Sequence, residues 1–192
     1  MRYNRLGRSG LFVSEVVLGT MTFGDNPDRP IGCVPLEDAR ELVASAIDAG
    51  VNLLDTADAY AAGRWEEIVG EILRGRDDIL VATKARFRMG DGPNDEGLTR
   101  HHLIRACEAS LRRLGRDHID LYYLHEWDGQ TPVDESLSAL EHLLQQGKIR
   151  YTAVSNFAGW QLQKTLGVAQ GRGWQPLVAE QIFYSLLGRR AR

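Results

Sequence analysis

The sequence has few cysteines and no long apolar run. Its two cysteines, Cys33 and Cys107, are far apart and show no CxxC spacing, so neither a disulfide framework nor a zinc site is indicated. No apolar run approaches the roughly 20 residues that a transmembrane helix requires. The first ten residues, MRYNRLGRSG, contain no apolar signal segment. We therefore expect a cytoplasmic protein that is not inserted in a membrane and holds no metal.

The sequence also lacks an excess of charge of either sign. Its 192 residues carry a formal net charge of −3, with 26% charged and 43% hydrophobic residues. These proportions are typical of one globular domain, which we assign to residues 1–192. Proteins that bind nucleic acid or membrane surfaces carry a basic patch, so the balanced charge argues against both kinds of partner.

The sequence also lacks the motif that marks one of the two folds built from parallel strands and helices. Apolar runs alternate with amphipathic helical segments at a spacing of about 30 residues, which is typical of parallel strands joined by helices. The runs are 16–18, 52–55, 79–84, 119–125, 149–155 and 177–184. No GxGxxG follows the first run, so the dinucleotide fingerprint of an open doubly wound sheet is missing. Most runs end in a polar residue, and such ends converge on one face only in a (β/α)8 TIM barrel, which we therefore predict.

The barrel that this α/β sequence predicts is incomplete. Residues 1–14 read as a β-hairpin that could plug the bottom of the barrel. Residues 15–192 then supply about six of the eight strand–helix units, whereas a complete barrel needs about 250 residues. We therefore expect the sequence to be part of a longer chain.

Four polar side chains lie at or just after predicted strand ends. Asp55, Lys84 and His125 end the second, third and fourth runs, and Tyr60 follows Asp55 by five residues. A phenol has an ordinary pKa of about 10, and a nearby ammonium group lowers it. We expect Lys84 to lower the pKa of Tyr60, Asp55 to keep Lys84 protonated, and His125 to reach the same reacting oxygen. The alternatives are a purely structural Asp55–Lys84 ion pair and a core histidine.

Six segments in this order resemble the aldo-keto reductase superfamily, in the branch related to potassium-channel β subunits. They are RLGRSGLFVSEVVLGTMTFG, GVNLLDTADAY, VATK, HIDLYYLHEWD, GKIRYTAVSNF and QIFYSLLGR. The resemblance implies an oxidoreductase that reduces an aldehyde or ketone to an alcohol with a hydride from NADPH. It also implies that Tyr60 is the proton donor and that Lys84, Asp55 and His125 complete a catalytic tetrad.

The same resemblance implies where the cofactor and the substrate bind. The cofactor is expected to be NADPH, with NADH left open, and its implied contacts are Gly19, Thr20, Met21, Asp55, Ser155, Asn156 and Gln181. Three aromatic residues could line an apolar pocket for a small carbonyl substrate, or could equally be packing residues at its rim: Phe23, Trp65 and Trp127.

Several features depart from the family pattern. Ala61 and Trp65 stand where the family often has glycine and serine. The family's segment after the sixth strand holds the cofactor with an aromatic and basic residues, and we find no counterpart of it. A second interpretation is therefore a catalytically weak or inactive nucleotide-binding or regulatory fragment. A third is a Schiff-base enzyme in which Lys84 attacks a carbonyl carbon, which needs an uncharged lysine.

Overall fold

The structure is a computed structural model, which describes residues 1–24 and 33–188. Its strands are β1 (Tyr3–Arg5), β2 (Phe12–Ser14), β3 (Leu18–Gly19), β4 (Leu53–Asp55), β5 (Leu80–Ala85), β6 (Ile119–Leu124), β7 (Ile149–Ser155) and β8 (Ala179–Gln181). Its helices are α1 (Leu36–Asp48), α2 (Arg64–Ile72), α3 (Arg100–Leu114), α4 (Val133–Gln145) and α5 (Gly159–Arg172), and a 3₁₀ turn (Tyr60–Gly63) precedes α2.

Strands β3 to β8 form one parallel sheet, and its order follows the sequence order. The sheet curls into a half-barrel with helices on its outer face, which confirms the predicted incomplete (β/α)8 barrel. Successive parallel strands need a crossover connection, and the amphipathic helices between them supply it. The carboxyl ends of all six strands therefore lie along one rim.

Local signals in the sequence explain where these helices begin and end. Thr99 caps α3, because its side chain accepts a hydrogen bond from the backbone N–H of His102. Gly115 ends the same helix in the left-handed conformation, with φ of 63°. These two signals set the bounds of α3, which ends shortly before β6 begins.

The β1–β2 hairpin closes the end of the sheet opposite that rim. Val13 is buried with Leu53 and Ala153 on the inner face of the sheet. Asn52, which directly precedes β4, accepts a hydrogen bond from the Ser14 backbone N–H (2.7 Å) through its side-chain oxygen. The hairpin therefore plugs the amino-terminal end of the strands, as the sequence predicted, and leaves the carboxyl end free for chemistry.

Candidate active site

The ends of β4 and β5 bring an acid and a base together. Asp55 ends β4 and pairs in register with Ala82 of β5, so Lys84 lies one pleat further along the same face. The Lys84 ammonium donates hydrogen bonds to Asp55 Oδ2 (2.7 Å) and to the backbone oxygen of Thr56 (2.8 Å). The side chain of Lys84 is 0% exposed. A buried ammonium is costly unless it is paired, and here both acceptors are fixed to a strand end.

Tyr60 and His125 lie beside this ion pair. The Lys84 ammonium is 5.3 Å from the centre of the Tyr60 ring. The Tyr60 and His125 rings meet edge to face, with centroids 5.9 Å apart. The four residues that the sequence singled out thus form one cluster at the strand-end rim.

The pKa of Tyr60 moves in the direction opposite to our expectation. Burial raises the pKa of its phenol to about 12, and the negative charge of Asp55 adds to the rise. The Lys84 ammonium lies 5.3 Å from the ring centre and is hydrogen-bonded to Asp55, and it does not outweigh these two effects. Tyr60 is therefore a protonated phenol at neutral pH, which suits a proton donor.

His125 is a neutral imidazole at neutral pH. Burial and the positive charges of Lys84 and Arg86 lower its pKa to about 3. Its ring packs against the edge of Phe87, with centroids 4.7 Å apart. Its Nδ1 atom is buried and has no hydrogen-bond partner within the described part of the chain. A neutral imidazole carries one N–H, so His125 can donate a hydrogen bond to a bound group.

The ends of β7 and β8 add amide and hydroxyl groups to the cluster. The Asn156 side-chain amide donates to Ser155 Oγ (3.0 Å), and its backbone N–H donates to the Gln181 backbone oxygen (2.9 Å). The Gln181 side-chain amide donates to Asp55 Oδ2 (3.2 Å). The other oxygen of Asp55 is buried and has no partner among residues 1–24 and 33–188. Ser155, Asn156 and Gln181 thus lie where an amide-bearing ligand could bond to them.

The end of β3 contributes backbone and open surface to the rim rather than hydrogen-bonding side chains. The Thr20 backbone N–H and hydroxyl both donate to the Asp55 backbone oxygen, at 2.9 and 3.0 Å, so Thr20 is tied to β4. Gly19 faces open space, since a Cβ added there would have no neighbour within 4 Å. Met21 is exposed beside it. Gly19 and Met21, rather than the Thr20 side chain, present free surface at the rim.

The three aromatic residues lie in three different settings. Phe23 is 1% exposed and packs in the core between sheet and helices. Trp65 is also buried, but its ring lies 5.3 Å from that of Tyr60, so it borders the cluster. Trp127 packs against Phe157 and Trp160, with ring centroids 5.3 and 5.7 Å away. Of the three, Trp65 has a direct contact with the tetrad.

Sequence reasoning missed a second layer of charged groups beneath the tetrad. Glu66 of α2 is buried, accepts the Thr83 hydroxyl (2.6 Å) and pairs with Arg113 of α3 (2.6 Å). Asp58 is fully buried close to them. The only signal for Glu66 was an acidic residue on the apolar face of a helix. Across the described residues, no group of three or more His, Cys, Asp or Glu is placed to hold a metal ion.

These features define a class of protein: a parallel half-barrel whose strand ends carry a buried ion pair, a protonated phenol and a neutral imidazole. A sequence model of the aldo/keto reductase family matches residues 15–192. The chain therefore belongs to the aldo/keto reductase family.

Individual relatives agree with this assignment. The chain is 40% identical to an uncharacterized oxidoreductase, YrpG, of Bacillus subtilis, over 100% of the chain and 60% of the relative. It is 38% identical to a probable voltage-gated potassium channel subunit beta of Oryza sativa, over 98% of the chain and 57% of the relative. It is 34% identical to versiconal hemiacetal acetate reductase of Aspergillus parasiticus, over 98% of the chain and 61% of the relative. The chain thus spans about 60% of the length of these relatives.

Proposed function

We propose that this protein is an NADPH-dependent carbonyl reductase that converts an aldehyde or ketone into an alcohol. The observation that carries the proposal is the protonated Tyr60 phenol beside the buried Lys84–Asp55 ion pair, in a chain of the aldo/keto reductase family. The reductase name of the Aspergillus relative supports the same reaction type. The tetrad of Tyr60, Lys84, Asp55 and His125 would carry the chemistry.

In the proposed mechanism, Tyr60 protonates the carbonyl oxygen as that oxygen becomes an alkoxide. An alkoxide is about as basic as hydroxide, and its conjugate acid is a much weaker acid than a phenol. A phenol whose pKa is about 12 is acidic enough to protonate it. His125, as a neutral donor, would hydrogen-bond the same oxygen while negative charge develops on it.

Lys84 and Asp55 act on the phenolate that Tyr60 becomes. The Lys84 ammonium lies 5.3 Å from the phenol ring and would stabilise the negative charge left by proton transfer. Asp55 holds that ammonium by a 2.7 Å hydrogen bond, which opposes the loss of its proton on burial. Water then returns a proton to Tyr60.

The residues around the rim fit a nicotinamide cofactor. The amides of Asn156 and Gln181 and the hydroxyl of Ser155 have the donors and acceptors that a carboxamide needs. Gly19 has no neighbour within 4 Å of its Cβ direction and would leave room for a ring. The cofactor, when bound, supplies the hydride. The chain's own residues would bind it, orient it and deliver the proton.

The test of this function is NADPH oxidation in the presence of an aromatic aldehyde such as 4-nitrobenzaldehyde. The oxidation is measured as the loss of reduced-nicotinamide absorbance. We expect turnover in the wild-type protein and none above background in Tyr60→Phe. The matched control is Tyr3→Phe, which removes one hydroxyl at the opposite end of the barrel, bonded to the Gly50 backbone oxygen. Equal turnover in wild type and Tyr60→Phe would refute Tyr60 as the donor.

Two other functions predict different experimental results. The potassium-channel β-subunit names of two relatives, 38% and 36% identical, favour a regulatory nucleotide-binding role as a second candidate. That role predicts tight NADPH binding without turnover. A Schiff-base enzyme would be trapped on Lys84 by borohydride, but the hydrogen bonds of that ammonium to Asp55 and Thr56 favour the charged form instead.

A further inference from the structure

The turn that carries Tyr60 is strained. Ala61 and Ala62 follow it with φ of 46° and 52°, and Gly63 follows with φ of 93°. Left-handed backbone is unfavourable for a residue that has a Cβ, because the Cβ comes too close to the following carbonyl oxygen. Such a segment persists only when its surroundings hold it in place. The groups that hold this turn therefore control the position of the Tyr60 phenol.

The Arg113 guanidinium lies directly against the turn. A Cβ added to Gly63 would stand 2.6 Å from Arg113 Nε and 3.0 Å from its Cζ. The guanidinium therefore occupies the space that a side chain at position 63 would fill. The guanidinium is itself fixed. Its Nε donates a hydrogen bond to Glu66 Oε2, and one of its terminal nitrogens lies at the same distance of 2.6 Å from that oxygen. The same terminal nitrogen donates to Ser110 Oγ (3.4 Å).

Glu66 connects this support to the strand that carries the lysine. Its side chain is fully buried, and its second oxygen accepts a hydrogen bond from the Thr83 hydroxyl (2.6 Å). Thr83 directly precedes Lys84 in β5. One buried carboxylate thus links the segment behind the phenol to the segment that carries the ammonium, across three separate elements.

We propose that Glu66 and Arg113 are positioning residues that fix the distance between the Tyr60 phenol and the Lys84 ammonium. The proposal rests on the proposed reductase function, which it deepens. Neither residue needs to touch substrate. Their ion pair sets the turn against β5, and a displacement of about 1 Å between reacting groups can lower a rate by about 100-fold.

The first test is Glu66→Gln, with Glu67→Gln as the matched control. Glu67 lies on the same helix and pairs with Arg64 at the same distance of 2.6 Å, but both side chains of that pair are exposed. We expect Glu66→Gln to lower kcat by about 10- to 100-fold with KM changed little, because proton delivery rather than binding is disturbed. Glu67→Gln should leave both constants unchanged.

The second measurement is amide hydrogen exchange, which does not depend on activity. We expect exchange at Tyr60–Gly63 to quicken by about 10-fold in Glu66→Gln, while β6 keeps its protection. A purely structural role would instead quicken exchange across the whole sheet. If the wild-type protein reduces no aldehyde, the proposed function fails, and exchange at this turn alone decides the positioning role.

A third variant keeps the test decisive if Glu66→Gln does not fold. Glu66→Gln/Arg113→Gln removes both charges, so no unpaired ion remains buried. A glutamine at position 113 is too short to reach Gly63 as the Arg113 guanidinium does. We expect the double variant to unfold cooperatively and still show fast exchange at the turn and low kcat. A folded double variant with normal exchange and normal kcat would overturn the proposal.

Discussion

The buried carboxyl of Asp58 makes stability depend on pH in a defined direction. Burial and the charge of Glu66 raise its pKa from 3.8 to about 8. Neither of its oxygens has a hydrogen-bond partner of ordinary geometry in the described chain, although the Ala59 backbone N–H lies close enough to favour the carboxylate slightly. At neutral pH the folded protein therefore holds Asp58 protonated, while the unfolded chain has released that proton.

The sign of the effect follows from this difference in bound protons. Between pH 4 and 8 the folded state binds one more proton than the unfolded state, so the free energy of unfolding falls as the pH rises. A full difference of about four pKa units corresponds to about 5 kcal/mol, at 1.36 kcal/mol per unit. Between pH 5 and pH 7 alone, the free energy of unfolding falls by about 3 kcal/mol.

Asp58→Asn removes this dependence and keeps the shape of the protonated side chain. We expect the free energy of unfolding of Asp58→Asn, relative to wild type, to rise by about 2–3 kcal/mol from pH 5 to pH 7. Urea unfolding at both pH values measures it. The control is Asp77→Asn, an exposed site with the same change of charge. If the free energies of unfolding of Asp58→Asn and wild type differ by the same amount at both pH values, Asp58 is not protonated in the folded protein.

Three further substitutions have expected effects on the free energy of unfolding, each measurable by urea unfolding. Lys84→Met leaves Asp55 buried without its counter-ion and should cost about 3–5 kcal/mol; adding Asp55→Asn should recover at least half, and no recovery would contradict the ion pair. Ala61→Gly relieves a left-handed alanine and should stabilise by about 0.5–1 kcal/mol; a loss would show that the turn is unstrained. Gly70→Ala should destabilise by about 1–3 kcal/mol despite better helix propensity, since its Cβ would lie 2.5 Å from the Leu114 backbone oxygen.

The sequence predicted the features that depend on local pattern. The run 149–155 coincides with β7, and Asp55 and Lys84 lie at neighbouring strand ends as expected. Their meeting required only that parallel strands be adjacent in sequence order, which short connections favour. The carboxyl-end rim and its four polar side chains could therefore be predicted before any coordinate was known.

The features that the sequence did not predict depend on packing between distant elements. Arg113 meets Glu66 across 47 positions, and no strand-end or motif signal marks either residue. The direction of the Tyr60 pKa also escaped prediction, because it depends on how deeply the phenol is buried rather than on which ammonium is near. Phe23 follows a strand end as a pocket residue would, yet its side chain turns into the core.

The hairpin at the amino terminus has a practical consequence. Met1 lies against Gly50, just before β4 begins, and is 48% exposed at the closed end of the half-barrel. A tag, fluorophore or surface linker attached before this residue would emerge on the side away from Tyr60. Immobilising the protein through its first residue should therefore leave the reactive rim facing solution, so that ligand binding can be followed on a sensor surface.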